Sequence, residues 1–447
     1  MLKPLLKRIR DKFLKNINDR INGSNELLIE INKQNNYLLD KINLLEGKLS
    51  SFSQDKIDRV LLTNKRHCVS VVRVVFIIHS PEFWYSLLPV YKRMLCLDEF
   101  EPIVITTAGN LYGYGSSTNI ADEYFNIQNI HHLNVDKERL HNVIDVLNPD
   151  VVFMQSHWEE QKHTMFRTLS LLGHRLCYIP YGIHTNPMDE MLYNRQLHNY
   201  AWRLYCVNDY HKLCYSKFNN IGSFNAVVSG YTKFEYINSA INKIDTNWPL
   251  TNSNDKLKIL WAPHHSVEGW LAFSTFHQNF RQILSFIKKN LATIQVVFRP
   301  HPKMFGEMVF HGKMLQSEVD FFIKDFSQLE NCYLDEGAEY IHLFKQSDIL
   351  VTDGVGFLFE YLLTGKPIIH TDSKVNCGFN DYYKQIEPAW YKAYEFDDVE
   401  KLIAQLRSGD DPLKHTRQEL VKLLYPISDK EPSEIICDDI RKSILGK

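Results

Sequence analysis

Three polar turns in the second half of the chain carry residues suited to gripping a diphosphate. They are Trp261-Ala262-Pro263-His264-His265-Ser266, Phe298-Arg299-Pro300-His301-Pro302, and the run SDILVTDGVGFLFE from Ser347 to Glu360. In the third, an apolar strand stops at Asp353, turns through Gly354-Val355-Gly356 and enters a helix expected to start at about Phe357. Glycines at such a point let backbone amides approach a phosphate, and the helix dipole favours its negative charge. Arg299 and His301 supply the cationic side of the clamp. The donor-binding candidates are therefore His264, His265, Arg299, His301, Asp353, Gly354, Val355, Gly356, Phe357 and Glu360. Glu360 falls in the expected first turn, where it either accepts hydrogen bonds from ribose hydroxyls or answers the dipole. His264 and His265 do not read as a metal pair, because adjacent residues on a strand point to opposite faces.

The first half offers the acid–base chemistry. Cys177-Tyr178-Ile179-Pro180-Tyr181-Gly182-Ile183-His184 ends a strand in a polar turn, and a histidine of ordinary pKa is a suitable base for an acceptor hydroxyl. His184 is the first choice, with Tyr181 and then His157 of Gln155-Ser156-His157-Trp158-Glu159-Glu160 as alternatives; His79 of His79-Ser80-Pro81-Glu82 has less support. Absent motifs narrow the field. There is no G-x-x-x-x-G-K-[ST] loop, no H-E-x-x-H, no G-x-S-x-G and no D-x-D triplet for a metal-held diphosphate. A metal-independent diphosphate site is expected, with no cofactor beyond the nucleotide-linked donor.

These turns need strands to place them. Short apolar, β-branched runs alternate with amphipathic stretches from Val69 onward, which predicts parallel sheets covered on both faces. The expected strands are Val71–Ile78, Pro102–Thr107, Val151–Gln155, Cys177–Pro180, Arg203–Val207 and Ala226–Ser229. A second series is Lys258–Trp261, Gln295–Arg299, Cys332–Leu334, Ile349–Thr352 and Pro367–His370. The polar interval Asn238–Lys256 reads as the linker between two doubly wound α/β domains, 68–240 and 256–447, with ligands in the crevice between their strand ends.

Residues 1–60 are different material. A heptad seam has Leu28, Asn35, Ile42 and Leu49 at a, and Ile31, Leu38, Leu45 and Phe52 at d, which predicts a coiled coil and a homodimer. Ahead of it, Leu2, Leu5, Leu6, Ile9 and Phe13 share a helical face among Lys3, Lys7, Arg8, Arg10, Lys12 and Lys15. Such a helix either rests on an anionic membrane surface or stays solvated. Ser50–Lys65 reads as a linker.

Composition sets outer bounds. The 447 residues are 44% hydrophobic and carry 51 Lys+Arg against 53 Asp+Glu, a formal net charge of -2, so nucleic-acid binding through bulk charge is not expected. The eight Cys include no C-x-x-C pair and read as reduced, mostly buried thiols. The longest apolar stretch, Val69–Ile78, contains Arg73 and is far short of the ~20 residues of a membrane span. With no apolar leader core at the start, the expected location is the cytoplasm, either soluble or peripheral on the inner face of the membrane.

At these motifs the chain resembles the CDP-glycerol glycerophosphotransferase family, the teichoic-acid-type enzymes of GT-B fold, over roughly Val71 to Ile403. The family's W-H-G-T-P-L-K turn has Ile179-Pro180-Tyr181-Gly182 in its place. Its [PA]-T-[WF]-R strand end is matched loosely by Ala262-Pro263-His264-His265, and its [RK]-x-H-P by Arg299-Pro300-His301-Pro302. Its S-D-x-L-I-T-D-Y-S-S-x-x-F-[DE] segment is matched by Ser347-Asp348 through Thr352-Asp353, then Phe359-Glu360. Two departures stand out. Tyr181 occupies the position of the family's presumed catalytic histidine, with His184 three residues on, and Gly354-Val355-Gly356 replaces Tyr-Ser-Ser. The runs YIPYGI, ILWAPHHS and FRPHP also resemble GT-B proteins of surface-polysaccharide clusters.

The resemblance implies a transferase that moves a glycerol-phosphate, ribitol-phosphate or sugar group from a nucleotide-diphosphate donor to a glycan or lipid-linked acceptor hydroxyl. A nucleotide-sugar 2-epimerase of the same architecture, or a non-catalytic coiled-coil scaffold of a polysaccharide synthase complex, are the alternatives.

Overall fold

The computed structural model describes residues 70–446 apart from 108–118, 137–138, 155, 158–172, 244–247, 252–254, 338 and 426–427. The heptad seam, the basic helix and the linker at Ser50–Lys65 lie outside the described residues, as do Gln155 and Trp158-Glu159-Glu160. Residues 69–447 form one compact unit.

That unit holds two parallel sheets. The first contains β1 (Val72–Ile78), β2 (Phe100–Thr106), β3 (Leu133–Asn134), β4 (Val151–Met154), β5 (Leu176–Tyr178), β6 (Arg203–Cys206) and β7 (Ala226–Val228), in the order β3-β2-β1-β4-β5-β6-β7. The second contains β8 (Leu257–Ala262), β9 (Ile294–Phe298), β10 (Cys332–Leu334), β11 (Ile349–Thr352), β12 (Ile368–Thr371) and β13 (Tyr391–Ala393), in the order β10-β9-β8-β11-β12-β13. The central strands are buried on both faces, as β4, β9, β11 and β12 are along their whole length, and this accounts for their largely apolar sequences. Arg73 is the exception within β1. Its side chain reaches Glu101 and the Leu147 carbonyl at the edge of the strand, so the cation stays hydrated while its neighbours are dry.

Register decides where the turns emerge. Trp261 pairs with Phe298 and Ala262 with Thr352, so β8, β9 and β11 end level and release their polar turns side by side. In the first sheet Ile77 pairs with Met154 and Met154 with Tyr178, which brings the turns after β1, β4 and β5 together in the same way. The strand order reverses between β8 and β11, and between β1 and β4. Both sets of turns thus sit at topological switch points, where open α/β sheets bind ligands.

The halves share one apolar core, which includes Phe76, Trp84 and Phe234 from the first and Leu260, Leu358 and Phe359 from the second. The elements differ from expectation in three places. Helix Thr232–Lys243 runs into the interval read as linker, because Phe234 and Ile237 give it a buried face despite the polar residues around them. The last helix, Pro432–Leu445, packs on the first half although it follows the second in sequence. Its Asp439 takes hydrogen bonds from Arg203 and Tyr205, and its Ser433 from Arg93. Strands β3 and β13 add to the expected set; each is two or three residues long at a sheet edge, too short to show a period.

Among the described residues no helix is long and apolar enough to cross a membrane. Cys177, Cys206, Cys214, Cys332 and Cys437 are buried free thiols, and Cys96 is an exposed one.

Candidate active site

Pro263 has no N–H to continue the ladder, so β8 stops at Ala262 and the chain turns. His264 and His265 are therefore past the strand, and the alternation rule does not apply to them. Their rings lie on one side, 4.3 Å apart by centroid, and His301 from the β9 turn joins them at 4.0 Å from His265 and 5.6 Å from His264. Among the described residues no group of three or more His, Cys, Asp or Glu is arranged to hold a metal ion.

The expectation of a cationic His301 is corrected. Burial, with His265, Lys303 and Arg299 nearby, pushes its pKa down to about 3; His265 falls to about 4 and His264 well below the usual range. All three are neutral donors and acceptors at neutral pH. The backbone assigns one tautomer: Nδ1 of His301 accepts from Lys303 N–H at 3.2 Å, whereas Nδ1 of His264 lies 2.7 Å from the Ser266 hydroxyl, which itself donates to the Leu271 carbonyl. The neutral His301 ring then carries its proton on Nε2, where it can donate to an anion.

Three donor-site candidates are occupied by internal partners. Arg299 is ion-paired with Asp335 and lies over the Tyr340 ring at 5.2 Å, so its charge is already answered. Asp353 is buried and ties the turns together: it accepts from His264 N–H, from Thr275 N–H at 2.7 Å and from the Thr275 hydroxyl at 3.0 Å. Burial lifts its carboxyl to about 6, and those donors limit the rise. Glu360 is the sixth residue of helix Val355–Leu362, not in the first turn, because the helix begins two residues earlier than expected. It is buried and takes Lys233 Nζ on one oxygen and the Tyr340 hydroxyl on the other, both at 2.6 Å. Both carboxylate oxygens thus already have an internal donor in a buried setting.

Lys233 comes from helix Thr232–Lys243 of the first half, so this pair locks the halves together. Lys233→Met strands a buried carboxylate and should cost about 3–5 kcal/mol, read as a lower midpoint in urea unfolding. Lys233→Met with Glu360→Gln should recover much of that loss. A single variant as stable as the parent would show that the pair carries no such load.

The helix N-terminus stays open. Gly354 is the N-cap with no side-chain cap, its own N–H goes to Thr352 Oγ1 at 2.8 Å, and the first turn closes with Leu358 N–H to the Gly354 carbonyl. The amides of Val355, Gly356 and Phe357 are thus left to a ligand, while the Phe357 ring packs on Tyr340 at 5.0 Å. A Cβ on Gly354 would come within 3.1 Å of Thr352 Oγ1, whereas one on exposed Gly356 would meet open space, the space an approaching phosphate would use.

In the first half the structure brings His157, Tyr181 and His184 together. The His157 ring is 5.1 Å from His184 and 6.1 Å from Tyr181, and its Nδ1 lies 2.6 Å from the Tyr178 hydroxyl. Tyr181 is half-buried and stacks on Phe83, just after β1, at 4.0 Å. His184 departs from the ordinary pKa expected of it: burial pushes it down to about 4. Its main-chain oxygen accepts from Asn380 Nδ2 at 3.2 Å, and that of Thr185 from Asn380 N–H at 2.7 Å, so a residue of the second half holds this turn. His79, just after β1, is buried and is lowered to about 3.

Sequence reasoning missed His198 and His211. His198 sits 5.1 Å from His157, and His211 5.8 Å from His184 with its Nε2 3.0 Å from the Tyr383 hydroxyl. Both lie on short helices where a single histidine carries no spacing signal.

Comparison with known proteins adds to this geometry. No curated protein matches the chain by sequence. An S. aureus MnaA–UDP complex is 18% identical over 84% of this chain and 97% of that chain, with a TM-score of 0.56. The UDP-GlcNAc 2-epimerase of Neisseria meningitidis bound to UDP-GlcNAc is 15% identical over 84% and 100%, with a TM-score of 0.54. That of Methanocaldococcus jannaschii in complex with UDP-GlcNAc and UDP is 14% identical over 83% and 99%, with a TM-score of 0.51. Likeness at such identities is one of fold, and the fold is GT-B. The model of the CDP-Glycerol:Poly(glycerophosphate) glycerophosphotransferase family matches residues 133–442, more than half of the chain and every turn after β4, β5, β8, β9 and β11. The chain therefore belongs to that family of transferases.

Proposed function

We infer that the protein is a metal-independent GT-B transferase of surface-polysaccharide synthesis, with a nucleotide-diphosphate donor in its second half and an acceptor hydroxyl in its first. The observation that carries this reading is the level ending of β8, β9 and β11, which sets neutral imidazole N–H donors and an uncapped helix N-terminus around one switch point. Preorganised donors of this kind stabilise charge on a leaving phosphate.

The preferred donors are CDP-glycerol and CDP-ribitol. The acceptor oxygen attacks the distal phosphorus, the bridging P–O bond breaks, CMP leaves with the electron pair, and the hydroxyl proton passes to His184. With a sugar donor the attack falls on the anomeric carbon and a nucleoside diphosphate leaves. A scaffold role fits poorly with a Gly356 amide held open at the end of a rigid helix.

Released nucleotide discriminates these outcomes. The protein, a cell-envelope extract as acceptor, and CDP-glycerol, CDP-ribitol or UDP-sugars should yield CMP from one of the CDP donors. UDP release would assign sugar transfer instead, and isomerised UDP-GlcNAc without release would assign the epimerase alternative. No turnover of any donor, with no nucleotide bound, would support the scaffold.

A further inference from the structure

His184 is not aimed through its own ring. Its Nδ1 is buried and meets no hydrogen-bond partner among the described residues. A working histidine is usually oriented through the nitrogen it does not use. Here the ring is set by packing, against His157 at 5.1 Å, Tyr193 at 5.2 Å and His211 at 5.8 Å, and by the main chain that carries it. That main chain is irregular, with neither helix nor strand from residue 179 to residue 188.

Asn380 supplies the hold from the second half. Its Nδ2 donates to the His184 carbonyl at 3.2 Å and its main-chain N–H to the Thr185 carbonyl at 2.7 Å, so one residue pins two consecutive peptide groups. Its Oδ1 accepts from Tyr383 N–H at 3.1 Å, as the N-cap of helix Asp381–Lys384. These partners fix the amide: flipped, it would set its oxygen against a carbonyl and its NH₂ against an N–H. Asn380 is 4% exposed, so water does not compete for either contact.

The same short helix braces the cluster again. The Tyr383 hydroxyl lies 3.0 Å from His211 Nε2, and the His211 ring stacks on His184. Tyr382 stacks on Tyr210 of the first half at 4.8 Å. The Tyr383 ring also meets Phe359 at 5.2 Å, and Phe359 belongs to helix Val355–Leu362, whose N-terminus stays open. One element of the second half thus touches both the phosphate-site helix and the base cluster.

We propose that Asn380 is a positioning residue for the base: its amide holds the His184 main chain so that the ring stands in place for the acceptor hydroxyl, and the second half thereby sets the aim of a base carried on the first. The role rests on the transferase reading, but the setting of the ring is measurable without turnover.

Asn380→Ser and Asn380→Asp both keep a capping acceptor for Tyr383 N–H and the main-chain bond to Thr185, and both lose the donor to His184. Circular dichroism checks their folding. In the full chain labelled with ¹³C at histidine Cε1, with His184→Gln assigning the signal, both changes should move the His184 resonance. Turnover should fall about tenfold, with the donor KM within about twofold of the parent. In a His184→Ala background the same changes should cost about twofold or less, because the residue acts through that ring. The proposal is overturned if the His184 resonance stays in place, if kcat is unchanged, or if the loss is as large without His184 as with it. Failure of every donor to bind or turn over would undo the transferase reading, and the His184 resonance would still decide whether Asn380 sets that ring.

Discussion

His184→Ala should lower turnover by about 10²–10⁴ while nucleotide affinity stays close to that of the parent, because the residue lies in the first half and the phosphate donors in the second. The shape of the pH profile follows from its burial. A base must be neutral to accept the proton, and burial lowers this imidazole to about 4. Turnover per folded molecule, with the folded fraction read by circular dichroism, should therefore stay level as pH falls from about 8 to about 5.5, where an ordinary histidine would already have lost about tenfold. An acid limb near pH 6.5 in the parent would move the base to a more exposed group. Full turnover by His184→Ala would move it to Tyr181, His157 or His79.

The second large effect is on stability. His79, His157, His184, His198, His211 and His370 are all buried, and all have lowered pKa values because burial penalises the imidazolium. Unfolding releases each into water, where it titrates near 6.5. Below that value the unfolded chain binds more protons than the folded one, so stability falls as pH falls and the loss continues toward the folded-state values. Each fully neutral histidine costs up to about 1.4 kcal/mol per pH unit, and six together approach the whole stability of a typical domain within about one unit. The raised carboxyls of Asp353, Asp189 and Glu235 act in the opposite direction, since the folded state protonates them first, but they engage mainly at lower pH. Melting from about pH 7.5 to about 5 should show Tm falling steeply below pH 6.5. A flat Tm across that window would mean that these rings are hydrated in solution.

What could be read from residues alone was what depends on near neighbours. Runs such as Val74-Val75-Phe76-Ile77-Ile78 and Ile349-Leu350-Val351 declare buried strands because every side chain is apolar, and Pro263 and the Gly354 turn mark where strands end. Pairing over distance was not legible. Arg299 looked free because Asp335 stands 36 residues away, and Glu360 looked available because Lys233 is 127 residues before it. The neutral state of His301 was hidden for the same reason, since it depends on His265 and on burial beneath neighbouring turns. The alternation argument for His264 and His265 failed because it extended a strand rule one proline too far. Asn238 read as linker because polarity was weighed ahead of the helical face set by Phe234, Ile237 and Ile241.

The central claim is that the open amides at Val355–Phe357 cradle a diphosphate, and calorimetric titration of parent and Gly356→Val with CDP, UDP and GDP and with their nucleosides tests it most directly. The valine replaces an exposed helical glycine with open space beyond its Cβ, so folding should be unharmed and only the ligand's space is taken. One diphosphate should bind the parent more tightly than its nucleoside, and Gly356→Val should weaken that diphosphate by about ten- to a hundredfold while leaving the nucleoside almost unchanged. Equal losses for diphosphate and nucleoside, or no loss at all, would contradict a phosphate cradle at this turn.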